Sequence, residues 1–235
     1  MPINKVKQLI FDADDTLWEN NIFYIRAAED LLHLLVQSGG DRRKLEQEFQ
    51  TIEKRVVIDK GYGSENYLFI LHTLFDRYHQ TSNQSAESMQ FERICQVFLS
   101  HVRTAPQIFP LVPEILAKLR VRYRLYVLTK GNISEQWKKL EKSNLLTFFE
   151  KAYVEPEKNL LTYQRILREN HWRAEETCMI GNSPKSDINP ALLAGCWAVY
   201  IPYTFTWVLD DEPLGEQQER LETVTSFAGL ESLFL

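Results

Sequence analysis

Val6-Lys7-Gln8-Leu9-Ile10-Phe11-Asp12-Ala13-Asp14-Asp15-Thr16-Leu17-Trp18 is the stretch on which the fold turns. A short apolar run ending in acid suits a parallel strand buried on both faces, with carboxylates at its carboxyl end. The residues that follow change period. Ile22, Ile25, Ala28, Leu31, Leu32 and Leu35 recur at helical spacing and stop at Ser38-Gly39-Gly40. Asp41 is placed to cap a second helix reaching about Val57, and Gly61-Tyr62-Gly63 breaks it. Ser64 is expected to cap a third helix carrying Tyr67, Ile70, Leu71, Leu74, Phe75 and Tyr78. Thr81 to Ser85 has loop composition, and Phe91 to Val102 has helical spacing again. Nothing between Trp18 and Arg103 reads as a strand.

Beyond Pro106 strands and helices alternate. A helix with Pro113 in its first turn leads to a strand over Tyr123 to Thr129. A helix over Ser134 to Ser143 leads to a strand near Ala152 to Val154. The helix from about Asn159 to Glu169 precedes the strand Thr177 to Gly181. A helix starting near Asp187 precedes Trp197 to Ile201. Such alternation predicts an α/β fold, a parallel Rossmann-like sheet with helices on both faces, plus an all-helical cap domain. The expected division is residues 1–17 and 106–235 for the core and 18–105 for the cap.

Composition narrows the class. At 235 residues the chain has room for one large domain and an insertion. Hydrophobic residues at 44% and charged residues at 25% exclude disorder. A formal charge of -5 without a basic run gives no reason to expect a nucleic-acid partner. No apolar run approaches the roughly 20 residues that span a membrane. The start, MPINK running into the first strand, does not read as a signal peptide. Cys95, Cys178 and Cys196 lack metal-ligand spacing and are expected to be buried reduced thiols of a cytoplasmic protein.

In a parallel sheet the ligand lies beyond the carboxyl ends of the strands, so strand-terminal residues come first. Four segments there carry reactive groups: Asp12-Ala13-Asp14-Asp15-Thr16, Thr129-Lys130-Gly131-Asn132, Glu155-Pro156-Glu157-Lys158, and Gly181-Asn182-Ser183-Pro184-Lys185-Ser186-Asp187. Carboxylates about 4 Å apart repel by about 4 kcal/mol at an effective dielectric near 20, so acids converging on one edge need a counter-ion. Oxygen donors without nearby His or Cys favour Mg2+. A phosphoryl group beside such an ion is open to attack by a carboxylate. A hydroxyl and a cation are then wanted for its remaining oxygens, and Thr129 and Lys158 are of those types. A second acid must protonate the leaving alkoxide and then deprotonate water.

These four segments, in this order and spacing, resemble the motifs of the haloacid dehalogenase-like hydrolase superfamily over essentially the whole chain, the helical insertion included. The resemblance implies that Asp12 is the nucleophile and Asp14 the general acid and base. It implies that Asp12, the backbone carbonyl of Asp14, and Asp187 hold Mg2+, with Asn182 beside them. It also implies that Thr129 and Lys158 hold the transferring phosphoryl group. Lys130, Gly131, Tyr62 and Asn66 are the expected substrate contacts. Two positions depart from the pattern: Asp15 stands where many relatives have Gly, and Asn182 where the fourth motif usually has its first acid. The latter implies weaker Mg2+ binding.

The expected activity is hydrolysis of a small phosphorylated metabolite through an aspartyl-phosphate. Alternatives are a phosphomutase of the same superfamily and a non-catalytic binding module that kept the fold. Halogen removal fits less well, because those relatives lack an acid at the position of Asp14. The five histidines show no ligand spacing, and Asp187 is expected also to cap the helix from Ile188. The oligomeric state is not legible.

Overall fold

The computed structural model describes residues 5–79, 84–210, 212–215 and 218–235. The expected loop at Thr81 to Ser85 lies partly outside them, and so does the stretch before Lys5. The chain divides into two compact units, Met1–Glu19 with Pro106–Leu235, and Asn20–Ala105.

The first unit is built on six parallel strands: β1 (Gln8–Phe11), β2 (Arg124–Lys130), β3 (Lys151–Glu155), β4 (Thr177–Gly181), β5 (Trp197–Tyr200) and β6 (Leu221–Thr223). Their order is β3-β2-β1-β4-β5-β6, so β1 is central and the winding direction reverses beside it. All four residues of β1 are buried, the polar Gln8 included, and burial on both faces explains why Leu9, Ile10 and Phe11 are all apolar. Leu9 and Phe11 pack on one face with Val127, Ile180, Leu116 and Phe227, while Ile10 packs on the other with Leu128, Met179, Tyr163 and Ile166. Burying such a side chain contributes about 1.5–3 kcal/mol, and Leu9→Ala would cost about 2–5 kcal/mol.

The register fixes where the chemistry lies. Phe11 pairs with Val127 on β2 and Ile180 on β4, so Asp12, Thr129 and Gly181 all fall at the same end of the sheet. The chain leaving β1 and the chain returning to the unit are tied together. Glu19 N donates to Gln107 O at 3.0 Å and Phe109 N to Leu17 O at 3.0 Å.

Helices α5 (Val112–Leu119), α6 (Ile133–Lys142), α7 (Leu160–Glu169) and α8 (Asn189–Leu193) connect the strands, and α9 (Leu230–Phe234) follows β6. β6 and α9 escape the sequence reading: three residues, Leu-Glu-Thr, carry no period, and their pairing to Ala198–Tyr200 is wholly tertiary.

The second unit is all helical among its described residues: α1 (Asn21–Gln37), α2 (Arg42–Lys60), α3 (Ser64–Tyr78) and α4 (Gln84–Arg103). Its own core includes Leu31, Leu45, Ile70, Leu71, Leu74 and Phe98. Asp41 caps α2 as expected, accepting from Lys44 N at 2.9 Å. Ser64 does not cap α3: Gly63 stands at the cap position and Ser64 is already helical. The fourth helix begins at Gln84, about two turns before Phe91, because its first turns are mostly polar, with only Ala86 and Met89 apolar. Among the described residues no helix is long and apolar enough to cross a membrane.

Candidate active site

Asp12 follows β1 directly, its N–H donating to Ile180 O at 2.9 Å, so its backbone is held by the neighbouring strand. A tight turn comes next: Leu17 N donates to Ala13 O at 2.8 Å and Asp15 N to Trp18 O at 2.8 Å. Asp15 takes φ 64°, a left-handed conformation that favours Gly; Asp is among the few other residues that tolerate it. The turn brings Thr16 back toward the strand end. Its hydroxyl lies 3.0 Å from Asp12 Oδ2 and 3.2 Å from Asn182 Oδ1, so motif one and motif four meet at one side chain.

Lys158 comes from the loop between β3 and α7, where Asn159 caps α7 by accepting from Thr162 N at 3.1 Å. Its ammonium donates to Asp12 Oδ1 at 2.5 Å and to Asp187 Oδ1, and lies 3.4 Å from Leu128 O. Lys158 is 4% exposed, Asp12 5% and Asp187 not at all. Two buried carboxylates thus share one ammonium, which leaves one negative charge over when both are ionised. Burial, with Asp187 beside it, pushes the Asp12 carboxyl up to about 7, against the pull of Lys158. Burial alone would depress the Lys158 ammonium, but Asp12 and Asp187 hold it above its ordinary value.

Asp187 is set by a π-helical turn, Pro184–Ile188, whose start is capped by Ser183 accepting from Ser186 N at 3.0 Å. The expectation that Asp187 caps a helix from Ile188 is therefore corrected: Ser183 is the cap and Asp187 lies inside the turn. The extra residue of a π turn rotates Asp187 inward, where Oδ2 accepts from Ser183 N at 3.0 Å. Gly181 makes room for it.

Among the described residues no three acidic, imidazole or thiolate side chains converge as a metal-binding group. The donors that do converge are two carboxylates and the Asn182 amide, all oxygen. Their residual negative charge and lack of soft ligands fit a hard divalent cation such as Mg2+.

The other expected residues are placed differently. Thr129 is buried and its Oγ1 accepts from Gln136 Nε2 at 2.6 Å. The Asp14 carboxylate is bonded to Trp18, Gln136 and Lys139, and its charge also acts on Asp12. Lys130 is held within the α/β unit. Its ammonium pairs with Asp210, at 2.7 and 2.9 Å from the two carboxylate oxygens, and donates to Ser186 Oγ at 2.8 Å. It also lies 5.9 Å from the Trp207 ring centre. Gly131 takes φ 145° and its N–H donates to Glu155 O at 3.1 Å. Tyr62 and Asn66 belong to the helical unit, where the Asn66 amide donates to Lys60 O and Gly61 O, both at 3.0 Å. Asn66 thus shapes the turn between α2 and α3.

The sequence marks Thr16 as part of the first motif without a role of its own, and it does not single out Gln136, Lys139 or Asp210. Gln136 and Lys139 lie three apart on α6, a spacing that shares a helix face. Asp210 sits 80 residues from its partner and left no local trace.

Comparison with known proteins bears on these residues. A family model described as haloacid dehalogenase-like hydrolase matches residues 6–195. A glyceraldehyde 3-phosphate phosphatase of Methanothermobacter thermautotrophicus is 24% identical over 204 residues, 83% of this chain and 85% of that protein. The structure of a haloacid dehalogenase-like family hydrolase from Xanthomonas campestris superposes with a TM-score of 0.78 at 27% identity, covering 97% of this chain and 96% of that one. The 2-haloacid dehalogenase of Pseudomonas syringae shares the fold with a TM-score of 0.57 at 22% identity, over 97% of each chain.

Proposed function

The chain belongs to the haloacid dehalogenase-like hydrolase family, and we propose that within it the chain is a Mg2+-dependent phosphatase. It hydrolyses a small phosphate monoester through an aspartyl-phosphate on Asp12. The observation that carries this reading is the Asp12–Lys158–Asp187 arrangement at the strand ends, two acids on one ammonium, with one negative charge in excess when both are ionised. That charge suits a cation and a phosphoryl group together. The relative named glyceraldehyde 3-phosphate phosphatase supports a short phosphorylated sugar as substrate class. The retained acid at Asp14 favours phosphoryl chemistry over halide displacement, which needs no such proton donor.

Asp12, the Asp14 carbonyl, Asp187 and Asn182 would hold Mg2+. When bound, that ion withdraws charge from the phosphoryl oxygens and screens them from the carboxylates. An Asp12 oxygen forms the new P–O bond as the bond to the leaving oxygen breaks, and Asp14 supplies a proton to that oxygen. Thr129 and Lys158 hold the phosphoryl oxygens meanwhile. A water oxygen then attacks phosphorus and gives its proton to Asp14. The bond from phosphorus to Asp12 breaks, which restores the Asp12 carboxylate and frees phosphate. Water exclusion and substrate selection are assigned to the helical unit, with Gly61 to Tyr67 the segment to vary.

Release of phosphate from p-nitrophenyl phosphate, with Mg2+ and with chelator, tests the reading. Turnover is expected only with Mg2+ and only with Asp12 intact. Equal turnover by Asp12→Asn, with deamidation excluded, would overturn it.

A further inference from the structure

Three donors converge on the Asp14 carboxylate. Trp18 Nε1 donates to Oδ1 at 2.6 Å, and Lys139 Nζ reaches Oδ1 at 2.9 Å and Oδ2 at 2.7 Å. Gln136 Nε2 lies 3.0 Å from Oδ2. The same amide nitrogen is 2.6 Å from Thr129 Oγ1 and 3.0 Å from Lys130 O. One side chain therefore joins the acid of the first motif to the hydroxyl of the second.

The sequence builds this junction locally. Asn132 caps α6, accepting from Glu135 N at 3.2 Å, and so fixes where the helix starts. Gln136 and Lys139 then fall on one face, three residues apart. Gly131 leaves the space: a Cβ there would sit 3.2 Å from Gln136 Cγ, on a backbone at φ 145° that side chains rarely adopt.

An ordinary surface ion pair does little for a protein. This one differs in three ways. The Lys139 and Asp14 side chains are only 12% and 20% exposed. The ammonium spans both carboxylate oxygens. Gln136, itself buried, ties the pair to Thr129.

We propose that Lys139 and Gln136 are positioning residues that hold the Asp14 carboxylate in register with Thr129 for proton transfer. This deepens the phosphatase reading and rests on it. The consequence is specific to one half of the reaction. With p-nitrophenyl phosphate, Asp12 displaces a stable phenolate, which departs with the electron pair and needs no proton. The second half does need Asp14, because water must lose its proton as it attacks phosphorus. Loosening Asp14 should therefore slow the second half and spare the first.

The experiment follows p-nitrophenolate release by the full chain with Mg2+ over the first turnovers. For Lys139→Met the expected result is a burst near one equivalent of enzyme, then a steady rate lower by about tenfold or more. Gln136→Met should show the same shape, and Lys139→Arg should restore most of the steady rate. In an Asp14→Asn background, adding Lys139→Met should change the rate by less than about twofold, since the residues act as one unit. Equal slowing of both phases, no slowing of either, or a full additional loss in that background would overturn the proposal. Those failures leave the wild type active. If instead the wild type releases nothing with Mg2+, or Asp12→Asn matches it, the phosphatase reading falls and takes this proposal with it.

Discussion

Gly181 and Asp187 are packed so closely that a Cβ on Gly181 would lie 2.8 Å from Asp187 Cβ and nearer still to its carboxylate. Such a contact cannot be absorbed without moving the acid or the strand. Gly181→Ala is therefore expected to displace Asp187 from Lys158. A thermal melt should show destabilisation of about 1–3 kcal/mol, the range for overpacking, and Mg2+-dependent turnover should fall with it. Unchanged stability and turnover would mean that Asp187 has another place to sit.

Much of this arrangement was legible, and what was not has a physical reason. Asp12 and Thr129 end apolar runs, so their placement follows once the runs are read as parallel strands. Asp187 stands out as an acid just past a strand, but its place inside the turn does not, because helical spacing does not distinguish a π turn from a helix start. Lys130 has a partner that no local pattern reveals. Its neighbours favour a loop, while its partner Asp210 lies in a segment after the last strand recognised. The extent of β6 is set by pairing alone, which no local pattern records.

The Lys130–Asp210 pair gives a stability test. Both side chains are mostly buried, at 10% and 14% exposure, so removing one charge strands the other. Lys130→Met and Asp210→Asn should each cost about 3 kcal/mol in chemical denaturation. The double variant should cost clearly less than their sum, whereas additive losses would show that the two do not act as a pair.

Asp15 carries a backbone cost that only a few residues meet without strain. Asp15→Gly is expected to melt above Asp15→Val and to keep turnover. Asp15→Val should destabilise by about 1–2 kcal/mol, because a branched Cβ crowds the following carbonyl at φ 64°. Equal melting temperatures for the two variants would argue that the turn relaxes.

The raised Asp12 carboxyl makes the metal-free protein sensitive to pH. An acid whose folded pKa lies above its unfolded value costs stability as pH rises between the two, here from about 3.8 to about 7. With chelator present, Asp12→Asn should melt higher than wild type at pH 8, by about 2 °C or more. The advantage should shrink toward pH 4, and Mg2+ should raise the wild type alone. A variant that melts lower at pH 8 would mean that Lys158 gains more from Asp12 than burial takes away.

Formation of a phosphorylated Asp12 is the central claim, and it can be trapped directly. The full chain, mixed with a phosphate monoester and Mg2+ and quenched in acid, is reduced with borohydride, which converts an aspartyl-phosphate to homoserine. Peptide mass spectrometry then reads the site. The expected result is homoserine at position 12, dependent on substrate and Mg2+ and absent from the Asp12→Asn variant. Substrate turnover with no label at Asp12, or label at another residue, would contradict it.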